Sequence, residues 1–309
     1  MIQLRNLDAS LRQYIDNLGM GLEARGALGG SIFWVEVNSG RDRGSGKDLD
    51  HAFGSLAYAC ARSHADIAQR SRWARRNTIY VYGDALEEDL TALAQKTDIV
   101  GLGQCDGFHR GARLKGNHVI GTTKYPGCRL FNMELLDNDA GGTTLTIPTE
   151  QSGLKLINCD ILGGPTTAIG LLITASAFFG MYGCRFLGSW NDGWSTACID
   201  IGTGEGRGME MINNQIVNTH ATGEAINVHA SRTGDDSFIK DNLIVAGQLT
   251  IDDDSDTFYV VNNDIISRGA ATGASVFTDV IDINAARAAR NHLTASNIAT
   301  VYPVLDTAT

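Results

Sequence analysis

Proline is scarce, with four in 309 residues, and no run of apolar side chains approaches the length of a membrane span. Few prolines leave strands free of the residue that most often interrupts them. The missing apolar run excludes a helical membrane anchor from the expected architecture, and no membrane partner is expected. Residues 1–22 contain no signal-peptide apolar core, so the expectation is a protein made in a cytoplasm that leaves it, if at all, by another route. The six cysteines, Cys60, Cys105, Cys128, Cys159, Cys184 and Cys198, include no Cys-x-x-Cys pair, which argues against a structural zinc site and for reduced, buried thiols. Basic charge is also in deficit. Residues 1–116 carry 15 basic and 14 acidic side chains, which leaves 10 and 21 for residues 117–309. An acidic body argues against nucleic acid as its partner.

What the chain does have is repetition. A phrase of two apolar, three central and two more apolar positions first reads Leu130-Phe131-Asn132-Met133-Glu134-Leu135-Leu136 and then Leu156-Ile157-Asn158-Cys159-Asp160-Ile161-Leu162. It recurs at 181–187, 211–217, 238–244, 260–266 and, decayed, 288–294. The central positions are Asn132, Asn158, Gly183, Asn213, Lys240, Asn262 and Arg290, separated by 22 to 30 residues, a period found in solenoids. Short apolar segments at 144–147, 169–174, 198–201, 225–228, 249–251 and 280–283 follow most copies. Gly, Asn, Asp and Thr bound them, as they bound strands. Leucine-rich repeats fit the first copy, Leu130-x-x-Met133-x-Leu135-x-x-Asn138. Later copies, however, place Asn214, Asp241 and Asn263 where that fold needs an apolar residue, and no repeat has room for an amphipathic helix. The expected class is therefore all-β, a parallel β-helix, with equivalent residues stacked about 4.8 Å apart. The phrase strands are expected to form one continuous sheet, with Leu135, Ile161, Phe186, Ile216, Leu243 and Ile265 in one buried column.

Before the solenoid, Leu4, Leu7, Leu11, Ile15 and Leu18 recur at intervals of three and four, giving one apolar stripe on a helical arm. Such a helix is marginal alone. Either it folds back over the open end of the solenoid or it reaches a partner, sister chains in a bundle or a neighbouring protein. Glycines at 19, 21, 26, 29 and 30 joint it to the rest of the chain. The chain divides into this arm (1–30), a capping segment with the first coils (31–116), the β-helix body (117–294) and a C-terminal tail (295–309).

The capping segment reads as a strand Ile32-Phe33-Trp34-Val35-Glu36-Val37, a loop opening Asn38-Ser39-Gly40, a helix over about 49–62, a strand Thr78-Ile79-Tyr80-Val81-Tyr82-Gly83, and the run Ile99-Val100-Gly101-Leu102-Gly103. This order resembles the N-terminal segment of pectate-lyase-like right-handed parallel β-helix proteins, in particular those encoded by tailed bacteriophages. The resemblance covers 32–103 by motif and 117–294 by repeat pattern. It implies a right-handed helix whose first coil is capped by the helix, and a virion structural protein, most directly a capsid decoration or cement protein. Its expected partners are a viral capsid protein and copies of itself, as a homotrimer. A tail-associated receptor-binding or polysaccharide-degrading spike is the alternative, and a secreted adhesin is disfavoured by the absent signal peptide.

Candidate chemistry is thin. Residues 40–47 look like a phosphate loop, but five residues rather than four precede Gly46-Lys47, and Asp48 stands where Ser or Thr should bind magnesium. Asp200, Asn227 and Asp282 sit mid-strand, where alternation turns them outward, and 252–256 forms an acidic turn. Asp200 and Asp282 fall three coils apart, about 14 Å, beyond the roughly 5–9.5 Å of paired glycosidase carboxylates. His109, His118, His220, His229 and His292 lack metal spacing, and 70–76 is the one basic run. Trp190 and Trp194 stand in one loop. They either stack on a sugar, fill a partner's pocket, or anchor the loop half-buried. The expectation is no catalytic residue, no metal and no cofactor, with Leu4, Leu7, Leu11, Ile15 and Leu18 as the partner-binding set.

Overall fold

The computed structural model describes residues 30–36, 40–69, 76–83, 86–102, 111–137, 142–148, 151–163, 167–188, 193–202, 204, 206–220, 223–229, 236–246, 251–253, 258–267, 281–282, 288–295 and 302–303. The arm residues Leu4, Leu7, Leu11, Ile15 and Leu18 lie outside them, as do Cys105, His109 and Trp190.

Each phrase straddles a corner. The strand Arg129–Phe131 ends at Asn132, and Met133–Asp137 leaves it in a new direction. The same break separates Lys155–Ile157 from Asp160–Leu162 and Glu210–Ile212 from Gln215–Val217. The residue at the break is left-handed every time: Asn132, Asn158, Gly183, Asn213, Asp241, Asn262 and Arg290 all have φ between 51° and 63°. Asn and Gly tolerate that region best, which is why they dominate the position. The phrase strands therefore form two ten-stranded sheets, A before the corner and B after it, not the one sheet that the phrase suggests. The second apolar segments form a seven-stranded sheet C. Every ladder in the three sheets is parallel except at the end of sheet B, where Tyr302–Pro303 runs antiparallel to His292–Ala295. The chain is a parallel β-helix.

Register corrects one repeat. Ile212 pairs with Lys240, and Ile216 with Ile244, so the fifth phrase runs 239–245 and its corner residue is Asp241, not Lys240. The buried column of sheet B is Leu135, Ile161, Phe186, Ile216, Ile244 and Ile265, each at 0% exposure. Leu243, expected in that column, faces outward at 36% between Gln215 and Asp264. An apolar pair followed by another apolar residue hides a one-residue slip, and only strand pairing resolves it.

The position after the corner points inward and forms a second stack: Met133, Cys159, Cys184, Asn214, Asn242, Asn263 and Asn291, all buried. Each asparagine donates through Nδ2 to the Oδ1 of the next, at 3.0 Å (214 to 242), 2.9 Å (242 to 263) and 2.9 Å (263 to 291). Each also donates to a backbone carbonyl of the coil before, Met181, Met211, Ile239 and Val260 in turn. Cys159 and Cys184 reach the equivalent carbonyls, Leu130 and Leu156, through Sγ at 3.5 and 3.4 Å. Thiol and carboxamide thus do the same work, closing a carbonyl that the corner leaves open. Cys60, Cys128 and Cys198 are likewise free and buried.

At the N-terminal end, Leu49–His51 is a single 3-10 turn capped by Asp48, and helix α1 runs Leu56–Gln69, later than the 49–62 expected, because Gly54-Ser55 restarts the chain. Leu56, Ala59, Cys60 and Ile67 of α1 are buried in the core, and Phe53 forms a parallel bridge to Val35 of the first strand. The helix N-terminus is closed by two carboxylates. Asp42 accepts from the amides of Gly54 and Ser55 at 3.0 Å, and Glu88 from those of Leu56 and Ala57 at 2.8 and 2.6 Å. A phosphate would need those amides, so the glycine-rich loop is structural by geometry as well as by spacing.

Candidate functional site

Three outer faces carry the chemistry of the described residues. On sheet C, register aligns Thr146, Leu172, Asp200, Asn227, Asp252 and Asp282 in successive coils. The three-coil separation of Asp200 and Asp282 stands, but Asp252 lies between them. Asp252 and Asp253 belong to the strand Ile251–Asp253 and not to an acidic turn. Asp252 and Asp282 are backbone register partners one ladder step apart, about 4.8 Å, a spacing that the expected acidic turn conceals. A signal for it was present, since Ile251-Asp252 repeats Ile281-Asp282. Asp200 is nearly covered, at 7% exposure. His229 Nε2 stands 3.0 Å from its Oδ1 but misses hydrogen-bond alignment. Burial pushes the Asp200 carboxyl above its ordinary value, and His229 draws it back.

Sheet B carries an outward column of Arg113, Glu134, Asp160, Arg185, Gln215, Leu243, Asp264 and His292. Glu134 and Asp160 also face each other across one step, and both are buried. Each is neutralised within the column, Glu134 by Arg113 and Asp160 by Arg185. A charge buried this deeply persists only when paired and hydrogen-bonded. Between this column and the corner residues runs a groove of about 490 Å³, lined by Arg185, Asn213, Gln215, Asp241, Asn262 and Asp264.

On sheet A, Tyr182 accepts from Lys155 Nζ at 3.1 Å and donates to Glu210. Burial lowers the Lys155 ammonium and raises the Tyr182 phenol, the latter helped by the Glu210 carboxylate. Neither shift readies the phenol as a base.

Other predicted residues do not converge. Trp194 is fully buried rather than presented to a glycan or a partner: its ring meets Phe186 edge-on at 6.3 Å, and Asn218 holds its backbone N–H at 3.0 Å. Glycines in the same and the preceding coil clear the space, since a Cβ on Gly163 or Gly188 would lie 2.7 or 2.9 Å from the indole. That pattern of small residues around one large one was the missed sequence signal. His118 is a core residue, accepting from Leu90 N at 3.1 Å and facing Leu114 O at 3.2 Å. Arg76, the described end of the basic run, bonds Asp98 and the Gly127 carbonyl. Among the described residues, no group of three or more His, Cys, Asp or Glu is arranged to hold a metal ion, and no helix is long and apolar enough to cross a membrane.

No family model and no curated protein matches the chain. Among solved structures, it is similar to QnrB1, titled a plasmid-mediated fluoroquinolone resistance protein, with 9% identity over 69% of this chain and 94% of that one. The TM-score is 0.20, a superposition too poor to bear on fold or function.

Proposed function

We propose that this chain is a structural virion protein of a tailed phage, a capsid decoration or cement protein on a right-handed, pectate-lyase-like β-helix. It is attached by its N-terminal region to the capsid protein as a homotrimer and takes no cofactor. The observation that carries the reading is how sheet B spends its acids. Glu134 and Asp160, the buried carboxylates at catalytic spacing, are each tied to an arginine and so brace the face rather than act on a substrate. The capping motifs and the acidic body add to it. Immunogold labelling of purified virions with antibody to the body tests location. Label over the head is expected, and particles without label would overturn the virion assignment.

One observation favours a second reading, a polysaccharide-degrading tail spike. Asp252 and Asp282 are register partners on neighbouring strands of sheet C, one ladder step of about 4.8 Å apart along the backbone, close to the roughly 5–5.5 Å of a retaining glycosidase pair. Incubation with host capsular polysaccharide, read by reducing-end and unsaturated-sugar assays, decides between the two. No turnover is expected. Turnover lost in both Asp252→Asn and Asp282→Asn, with label at the tail, would replace the first reading by the second.

A further inference from the structure

The outer face of sheet A carries an apolar stripe that the proposed function leaves unused. Trp34, Tyr80, Val100, Phe131, Ile157, Tyr182 and Ile212 are register partners in seven successive coils. All seven are half-buried. The Trp34 and Tyr80 rings meet with their centroids 4.9 Å apart, tilted by 36°, and the stripe stops where Lys240 takes the next place. Polar groups wall it on both sides. One wall is the corner column with Asn132, Asn158 and Asn213. The other is Asp98, Arg129, Lys155 and Glu210, which is closed on itself: Arg76 and Arg129 bond Asp98, and Lys155 reaches Glu210 at 3.8 Å. Arg129 and Lys155 also lie over the Phe131 and Tyr182 rings at 5.3 Å, so an apolar occupant would pack against cations that already have acid partners.

We propose that residues 4–18 of the same chain lie along this stripe as an amphipathic helix in the free protein. Shape argues for that occupant over a second copy. The stripe is about 29 Å long and one column, about 7 Å, wide, so roughly 200 Å², whereas a stable protein interface needs about 800 Å² from each partner. A single helix presenting Leu4, Leu7, Leu11, Ile15 and Leu18 over about 21 Å fits the narrow strip. Position argues for it too. The stripe begins on the strand Ile32–Glu36, immediately after the arm, and residues 19–30 extend to about 40 Å, enough to reach any point on it. An arm that is marginal alone gains an apolar surface, and the stripe gains a cover. Docking of the arm is independent of the virion reading. If both hold, the same five side chains cannot bury against two surfaces, so attachment to a particle has to lift the arm off sheet A.

Hydrogen exchange on the free full-length chain, without particles, tests this through peptides covering 4–18. Those amides are expected to be protected, and to lose protection in Val100→Asp and in Ile157→Asp while peptides of the inner columns keep theirs. Leu11→Asp, which leaves the sheet untouched, is expected to do the same and covers the case in which a sheet variant fails to fold. Exchange of 4–18 at the unstructured rate in the unaltered chain overturns the proposal, as does protection that survives all three substitutions. Protection that rises with protein concentration overturns it in favour of a second copy.

Discussion

The corner between sheets A and B and the two remaining connections of each coil are built on opposite principles. At the first, one left-handed residue and one inward Met, Cys or Asn repeat from Asn132 to Asn291, and the chain turns without a loop. Between sheets B and C, and between C and A, the connection changes length from coil to coil, as in 163–168 against 188–196. Where backbone geometry demands a residue type, the sequence repeats; where a loop only has to arrive, it drifts.

The largest effect is expected from breaking the asparagine stack. Asn242→Leu strands the Asn214 N–H and the Met211 carbonyl in the core, so unfolding free energy should drop by about 3–5 kcal/mol in urea titration. Cys184→Ala, which loses one weak donor, should cost about 1 kcal/mol. Equal losses would mean that the asparagine-to-asparagine bonds add nothing to the carbonyl contact that thiol and carboxamide share.

A pair in sheet B sharpens the register. Ile216→Ala should destabilise by about 2–5 kcal/mol, because the side chain is fully enclosed, and Leu243→Ala should fall within about 0.5 kcal/mol. Thermal melts showing the reverse for Leu243 would restore the slipped phrase at 238–244.

The smallest effect belongs to the sheet C side. His118 accepts a backbone N–H at Nδ1 and is buried, so it is held neutral with its pKa below the ordinary value, burial being the main cause. The unfolded chain takes up a proton near pH 6.5 and the folded chain resists it. Stability is therefore full above about pH 6.5 and declines as pH falls through the folded value, by at most about 1.4 kcal/mol per pH unit. Urea midpoints measured between pH 7 and 5 should show the slope, and His118→Phe should flatten it.

Much of the solenoid was legible because its rules are local. Alternation separates inward from outward residues, and a left-handed φ selects Asn or Gly at the corner, so Asn132, Asn158, Gly183 and Asn213 announce the period unaided. The equivalence of Cys159 with Cys184 was readable for the same reason. Local preference along the chain thus specifies the repeat, the all-β class and the type of residue at each corner. Packing in three dimensions was needed to divide the phrase between two sheets, to bring Ile244 and not Leu243 into the core, to seat Trp194 in a space cleared by glycines, and to set Asp252 against Asp282. These depend on which residue of one coil stands above which residue of the next. Strand pairing across 21 to 30 residues sets that register, and local preference does not encode it.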